Sequence, residues 1–513
     1  MTAAHPAPIL PLRASGRFAA TVASRPLLCA LMLVAIVTVL RLGGGVDSDV
    51  ASQLQIAQRM HEGARLYRDI IEVNPPLWFW MALPVDRVAA LLHIEATTVL
   101  IGAFGLLVAL SLAATDRLLG HIPPLRRAMF LAYSALILSA LPWMHVGQRE
   151  QIVLIGTLPY AVLAAARRVD RSISPFLAIG IGIGSALGFA LKQYFLIVPT
   201  LLELSLLAGT GRRWRPFRPE TMAVVGVGIA YATALILERD YLTRMVPLIR
   251  LAYGPFGPRS LSLLFNPYLI LGLGIFAFLA AHARLMRGQS ATIAAALFVA
   301  GIGFAAGYFI QFKGWHYHTI PLLGCASLAL AALLAETASA QRLLHILAPS
   351  LLALPLLATV SESHPGPPNG DTLDAVSGLR PGDSVAFLTR DTATPSLVSL
   401  QYGFGNPSRY NGLWMINAVV DNELHGNPDP RIAALGRQVV ANTVVDFRCT
   451  PPKRIIAERP PPGTRSFDIL AFYNRDPRFT ELLAHYRVRS QTSVETYELV
   501  SPWTPPPASS CRL

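Results

Sequence analysis

Along the first two thirds of the chain, apolar runs alternate with short polar stretches. Most of the runs are roughly 15 to 20 residues long, close to the length of a helix that crosses a bilayer. They fall at Leu27–Leu42, Leu77–Leu92, Thr97–Ala114, Ala128–Met144, Ile152–Ala166, Phe176–Ala190, Phe195–Leu207, Met222–Leu237, Leu261–Ala281, Thr292–Ile310, Ile320–Leu334 and Leu343–Val360. One stretch breaks the rhythm. Val50, Leu54, Ala57 and Met60 or His61 recur at helical spacing, opposite Ser52, Gln55, Gln58, Arg59 and Glu62. This pattern predicts an amphipathic helix along the membrane surface, with Asp49 at its start, where a carboxylate can cap the helix and favours its dipole.

At Ser361 the pattern changes. SESHPGPPNGD is a linker signal. Beyond it, Ser384–Arg390, Thr443–Cys449 and Thr496–Val500 read as short strands. DPRFTELLAHY reads as a helix with Asp476 as N-cap, Pro477 in the first turn, and Phe479, Leu482, Leu483 and Tyr486 as its apolar stripe. The expected architecture is an α-helical polytopic membrane protein with about 11–12 membrane helices. A tail (residues 1–26) precedes the membrane domain (residues 27–360), whose first outer loop is residues 43–76. A small C-terminal α+β domain (residues 361–513) follows it.

Composition supports the membrane reading. Of the 513 residues, 53% are hydrophobic and 14% charged, and mean hydropathy is +0.46; a soluble domain would carry roughly a quarter charged residues. The net charge of +13 does not point to nucleic acid, because the arginines cluster in loops between apolar runs. The clusters are Arg13, Arg17 and Arg25; Arg117, Arg126 and Arg127; Arg167, Arg168 and Arg171; Arg212, Arg213, Arg215 and Arg218; and Arg284 and Arg287. Read by the positive-inside rule, they put the N-terminus in the cytoplasm and the C-terminal domain outside it. The richness in Arg, Ala and Pro suggests a bacterial chain, and with it the plasma (inner) membrane. Keeping all clusters on one side requires Leu77–Leu92 and Thr97–Ala114 to make one net crossing. Pro84, Asp86 and Arg87 favour a short, broken or re-entrant segment there. Of the four cysteines, Cys29 and Cys325 lie in apolar runs, while Cys449 and Cys511 lie where a disulfide is permitted.

The chain has three lysines, Lys192, Lys313 and Lys453, among its 43 basic residues, so lysine is not its default cation. Lys192 interrupts GFALKQYFLIVP and Lys313 opens QFKGWHYH, where His316 and His318 flank Tyr317. A cation in the bilayer centre costs about 2.5–3.5 kcal/mol and usually marks a site, although lysines near helix ends also snorkel. GQREQ places Arg149 and Glu150 at another outward helix end, where a local ion pair is the simpler reading. With Asp47 and Asp49 these residues share one depth. Cations there would stabilise a leaving phosphate, and a carboxylate would take the proton of an acceptor hydroxyl or amine.

Several segments resemble the bacterial branch of the GT-C glycosyltransferases, the glycosyltransferase family 39-like group of protein O-mannosyltransferases and lipid A aminoarabinose transferases. Asp49 with Ala51, Ile56, Ala57 and Met60 resembles the family's first-loop acidic motif and helix. Asn74-Pro75-Pro76-Leu77 resembles its entry to the next helix, GQREQIVLIGTLPY its second acidic segment, LKQYFLIVPTLLELSLL its lysine-bearing helix, and KGWHYHTIPLL a later signature. The resemblance runs in order from Leu27 to Leu334. It departs in two places: Asp-Ser-Asp replaces the usual Asp-Glu pair, and Arg149-Glu150 stands where an Asp is common.

The resemblance implies an inverting transfer of one sugar from a polyprenyl-phosphate donor to a lipid, glycan or protein acceptor. Asp49 would be the base, with Asp47 as helper or substitute. Lys192, Arg149, Lys313, His316 and His318 would surround the donor phosphate, and Glu150 and Tyr317 are further candidates. Some relatives use a divalent cation, which two aspartates could hold, although the residues demand no metal. A transporter or flippase of lipid-linked sugars is the alternative; it would show internal repeats, and none is visible in the sequence.

Overall fold

The computed structural model describes residues 25–254, 261–283, 288–336, 353–359, 370–424, 428–460, 466–507 and 511. Proline at the first turn opens many of the membrane-domain helices, where its missing N–H has no partner to lose: Pro26–Arg41, Pro124–Ala140, Pro175–Phe189, Pro219–Leu237 and Pro267–Ala281. Others are Ala96–Leu118, Arg149–Arg168, Ile197–Thr210, Gly288–Gln311 and Ile320–Glu336. Among the described residues, five helical stretches are long and apolar enough to cross a membrane: Ala96–Leu118, Gln193–Arg213, Pro219–Leu237, Ser290–Gln311 and His316–Glu336. Three shorter apolar helices, Pro26–Arg41, Pro175–Phe189 and Pro267–Ala281, join them. The protein is a multi-pass membrane protein. Of the expected last run, Leu343–Val360, only residues 353–359 are described, and the tail before residue 25 and most of the linker lie outside the described residues.

Two helices form the centre of the bundle. Ile320–Glu336 is buried on every side, and Arg149–Arg168 is buried from Arg149 through Ala166. Surrounded by protein, they hold their first residues in fixed places. Their far ends lie among arginines: Arg126 pairs with Glu336 at 2.7 Å and Arg167 with Glu220 at 2.9 Å, while Arg171 donates to the Leu118 carbonyl at 2.9 Å. Arg218 also pairs with Glu220 at 2.9 Å, so members of three arginine clusters share one face of the bundle, opposite the starts of the two central helices.

The helices Ser48–His61 and Leu77–Leu92 pack side by side. Gln53 Nε2 donates to the Trp78 carbonyl at 2.7 Å, and His61 Nδ1 lies 2.7 Å from Asp86 Oδ2. Both contacts are eight residues apart on each helix, so the two run parallel. Leu77–Leu92 therefore accompanies the first-loop helix, and Asp86 has a partner there. Asp47, not Asp49, is the N-cap of Ser48–His61: its side chain accepts from Val50 N at 3.0 Å.

The C-terminal domain contains a four-stranded sheet in the order β1-β2-β4-β3. Its strands are Val385–Leu388 (β1), Arg454–Glu458 (β2), Tyr486–Gln491 (β3) and Val494–Leu499 (β4), with β1 and β2 parallel and the other pairs antiparallel. β2 and β3 escape the strand signals of the sequence. The expected strand Thr443–Cys449 is instead the end of a helix, Pro430–Cys449, which buries Val439, Val440, Thr443, Val444 and Phe447 at helical spacing. Asp476 does cap Pro477–Leu483, accepting from Arg478 N. Cys449 and Cys511 form a disulfide; Cys325 is buried and Cys29 partly exposed. The domain docks on the first loop through Gln55 Nε2 to the Ser396 carbonyl at 2.8 Å, Asn411 Nδ2 to Ser52 Oγ at 2.6 Å, and Ile71 N to the Arg409 carbonyl at 2.8 Å.

Candidate active site

A cavity lies where the first loop, the starts of the two central helices and the C-terminal domain meet. Its lining includes Asp49, Glu72, Asn74, Arg149, Trp315 and Trp414. Gly147 makes the junction possible. It holds φ +97°, and a Cβ there would sit 2.9 Å from both Val50 and Leu100. Only glycine lets the turn before Arg149 press this closely on the first-loop helix.

The two first-loop aspartates have different surroundings. Asp47 accepts from Val50 N and from Gln148 Nε2 at 2.8 Å, and its Oδ2 lies 2.9 Å from His145 Nδ1. Both of its oxygens are engaged in holding the loop to the turn before Arg149. Among the described residues, no group of three or more His, Cys, Asp or Glu side chains is arranged to hold a metal ion. Asp49, whose side chain is 41% exposed, borders the cavity. Its Oδ2 accepts from Tyr317 Oη at 2.8 Å and lies 4.0 Å from Arg149 Nη2. The cavity is walled by protein, so loss of bulk water is the largest influence on Asp49, followed by the charge of Asp47. Together they raise its pKa, outweighing Arg149 and the hydroxyl of Tyr317.

Arg149 is fixed from three sides. Its guanidinium lies over the Trp78 indole, 4.2 Å from the centroid, donates to Asn74 Oδ1 and faces Asp49. Asn74 is in turn held by Glu72, whose Oε1 accepts from Asn74 Nδ2 at 2.8 Å and from the backbone N–H groups of Val73 and Asn74. Burial pushes the Glu72 carboxyl above its usual range, against these hydrogen bonds. Glu72, Gln148 and His145 belong to the site although their sequence context does not single them out. The one available signal was a carboxylate in IIEVNPP, two residues before the conspicuous Asn-Pro-Pro.

Beside this group lies a buried polar layer. Lys192 Nζ donates to Glu150 Oε1 at 2.5 Å and to Gln311 Oε1 at 3.2 Å, and His318 Nε2 lies 3.9 Å from Glu150. Lys192 Nζ is also 5.7 Å from the Tyr317 ring centroid, which links the layer to Asp49. Glu150 Oε2, His318 Nδ1 and Arg149 Nε are buried with no hydrogen-bond partner. Lys313 and His316 lie differently. Lys313 donates to the Tyr253 carbonyl at 3.0 Å and sits over that ring at 4.3 Å, while His316 is exposed against Tyr268. The structure thus joins Asp49, Arg149 and Tyr317 directly. It places Lys192, Glu150 and His318 in the adjoining layer, and it ties Lys313 to the cavity through Tyr253.

The chain is thus a helical membrane bundle with a docked first loop and a C-terminal α+β domain over it. In comparisons with solved structures, the chain is similar to ArnT from Cupriavidus metallidurans in the apo state, with a TM-score of 0.53 and 13% identity, covering 95% of this chain and 99% of that one. It is similar to the same protein bound to undecaprenyl phosphate, with a TM-score of 0.52, 12% identity, and 95% and 98% coverage. At these identities the likeness is one of fold. No family model matches the sequence, and no curated protein matches it.

Proposed function

We propose that this protein is a membrane glycosyltransferase that moves a sugar from a polyprenyl-phosphate carrier to an acceptor on the outer face, with inversion at the anomeric carbon. The observation that carries this reading is the meeting of Asp49 and Arg149, 4.0 Å apart, in a cavity between membrane bundle and cover. An acceptor oxygen attacks the anomeric carbon, the bond from that carbon to the phosphate oxygen breaks, and Asp49 takes the acceptor proton. The polyprenyl phosphate leaves carrying the extra negative charge, which Arg149 and Lys192 stabilise together with the N-terminal ends of the two central helices.

Lys313, His316 and His318 would serve the donor more remotely, and Tyr317 and Glu150 would position Asp49 and Lys192. The fold likeness adds support, since ArnT was crystallised with undecaprenyl phosphate. The Cys449–Cys511 disulfide supports placing the C-terminal domain outside the cytoplasm of a bacterial inner membrane.

The test is transfer of labelled sugar from synthetic polyprenyl-phosphate donors in proteoliposomes. A new glycosidic product that disappears in Asp49→Asn is expected. Donor that crosses the bilayer without being cleaved would instead indicate a flippase.

A further inference from the structure

The C-terminal domain supplies the cavity wall formed by Thr392, Ser396, Asn411, Gly412 and Trp414. None of these residues carries a charge. Trp414 is 5% exposed and Asn411 4%, yet the indole Nε1 of Trp414 and the Oδ1 of Asn411 have no hydrogen-bond partner. Buried indole N–H and amide groups are ordinarily paired, and leaving them unmade costs stability. Both side chains are held in place by other contacts. Asn411 Nδ2 donates to Ser52 Oγ on the first-loop helix, and Trp414 stands edge-on against Tyr253 at 5.9 Å between ring centroids. The wall therefore offers one fixed donor and one fixed acceptor. Hydroxyls match each of them, one accepting from the N–H and one donating to the carbonyl.

We propose that Trp414 and Asn411 form the acceptor subsite and that it takes a neutral, hydroxyl-bearing sugar. This rests on the glycosyltransferase reading and deepens it. A phosphorylated acceptor would need cations. Among the described residues lining the cavity, Arg149 is the one basic side chain, and the donor phosphate takes it. The acids Asp49 and Glu72 would repel such an acceptor, and the wall that meets it offers indole, amide and hydroxyl groups. A site built to hydrogen-bond a hydroxyl discriminates strongly against a group that lacks one.

The experiment uses full-length protein in proteoliposomes with a synthetic polyprenyl-phosphate sugar. The acceptor probes are two panels: methyl glycosides with short neutral oligosaccharides, and the corresponding sugar phosphates. The expected result is transfer to neutral glycosides, with Trp414→Phe and Asn411→Ala each raising the acceptor KM about tenfold or more while donor KM changes less than threefold. Asn411→Ala guards against a folding defect in the tryptophan variant, and detergent melting curves check both. Preference for the sugar phosphates, donor cleavage without transfer to any neutral sugar, or unchanged acceptor KM in both variants would overturn the proposal while leaving the glycosyltransferase reading intact. Absence of donor cleavage by the wild type would overturn both.

Discussion

Tyr317 Oη donates to Asp49 Oδ2 at 2.8 Å, joining side chains 268 positions apart in the chain. The bond favours the ionised carboxylate, whereas burial and the neighbouring Asp47 charge oppose it, and the opposing influences prevail. A base with a raised pKa works above that pKa and is lost by protonation as pH falls through it. The acidic limb of kcat/KM for transfer should therefore lie above the ordinary carboxylate value of about 4. Tyr317→Phe removes a stabilising bond and should move the limb to higher pH. Asp47→Asn removes a repelling charge, keeps an acceptable N-cap, and should move it to lower pH. Limbs that shift together, or not at all, would remove Asp49 as the titrating group.

Asp49→Asn is nearly isosteric and keeps a partner for Tyr317 but cannot take a proton. Loss of a positioned general base should lower kcat by about 10²–10⁴. The donor phosphate would lie nearer Arg149 and Lys192, so donor KM should change little. A fall in donor affinity with kcat preserved would make Asp49 a binding group instead.

Much of the bundle can be read from the sequence, because an apolar run flanked by arginine and opened by proline has few alternatives in a membrane. The C-terminal domain was harder. Thr443-Val444-Val445 looks like a strand, yet Asp429-Pro430 upstream is a helix start, and burial at helical spacing decides the matter. β2 opens with Arg454, 1% exposed, whose charge disguises a buried strand. β3 carries exposed arginines, as edge strands do. In the site, residue type pointed to Asp49, Arg149 and Lys192. The chains that hold them, from Glu72 through Asn74 to Arg149 and from Gln148 to Asp47, depend on contacts across the fold that no local pattern encodes.

Gly147 fixes the distance between the first loop and the Arg149 helix. Gly147→Ala would place a side chain at φ +97° and 2.9 Å from Val50 and Leu100. The backbone strain alone is about 1–3 kcal/mol. The variant should melt earlier in detergent and lose transfer activity beyond what its folded fraction explains, because the contacts of Gln148 with Asp47 and Asp49 would shift. Full activity in the folded fraction would show that this junction does not set the geometry of the base.

Lys192 and Glu150 form a buried pair at 2.5 Å, with side chains 7% and 0% exposed. Removing one partner strands a buried charge, so Lys192→Met should cost about 3–5 kcal/mol. Adding Glu150→Gln removes that charge as well, and the double variant should recover most of the lost stability in detergent melts. Activity distinguishes the two roles open to Lys192. If it only neutralises Glu150, transfer returns with stability; if its ammonium also meets the donor phosphate, the double variant melts normally and transfers poorly, with a raised donor KM. The second outcome is expected, because Lys192 lies beside the Tyr317 ring and that tyrosine bonds Asp49. Recovery of both properties would remove Lys192 from the donor site and leave Arg149 as its main cation.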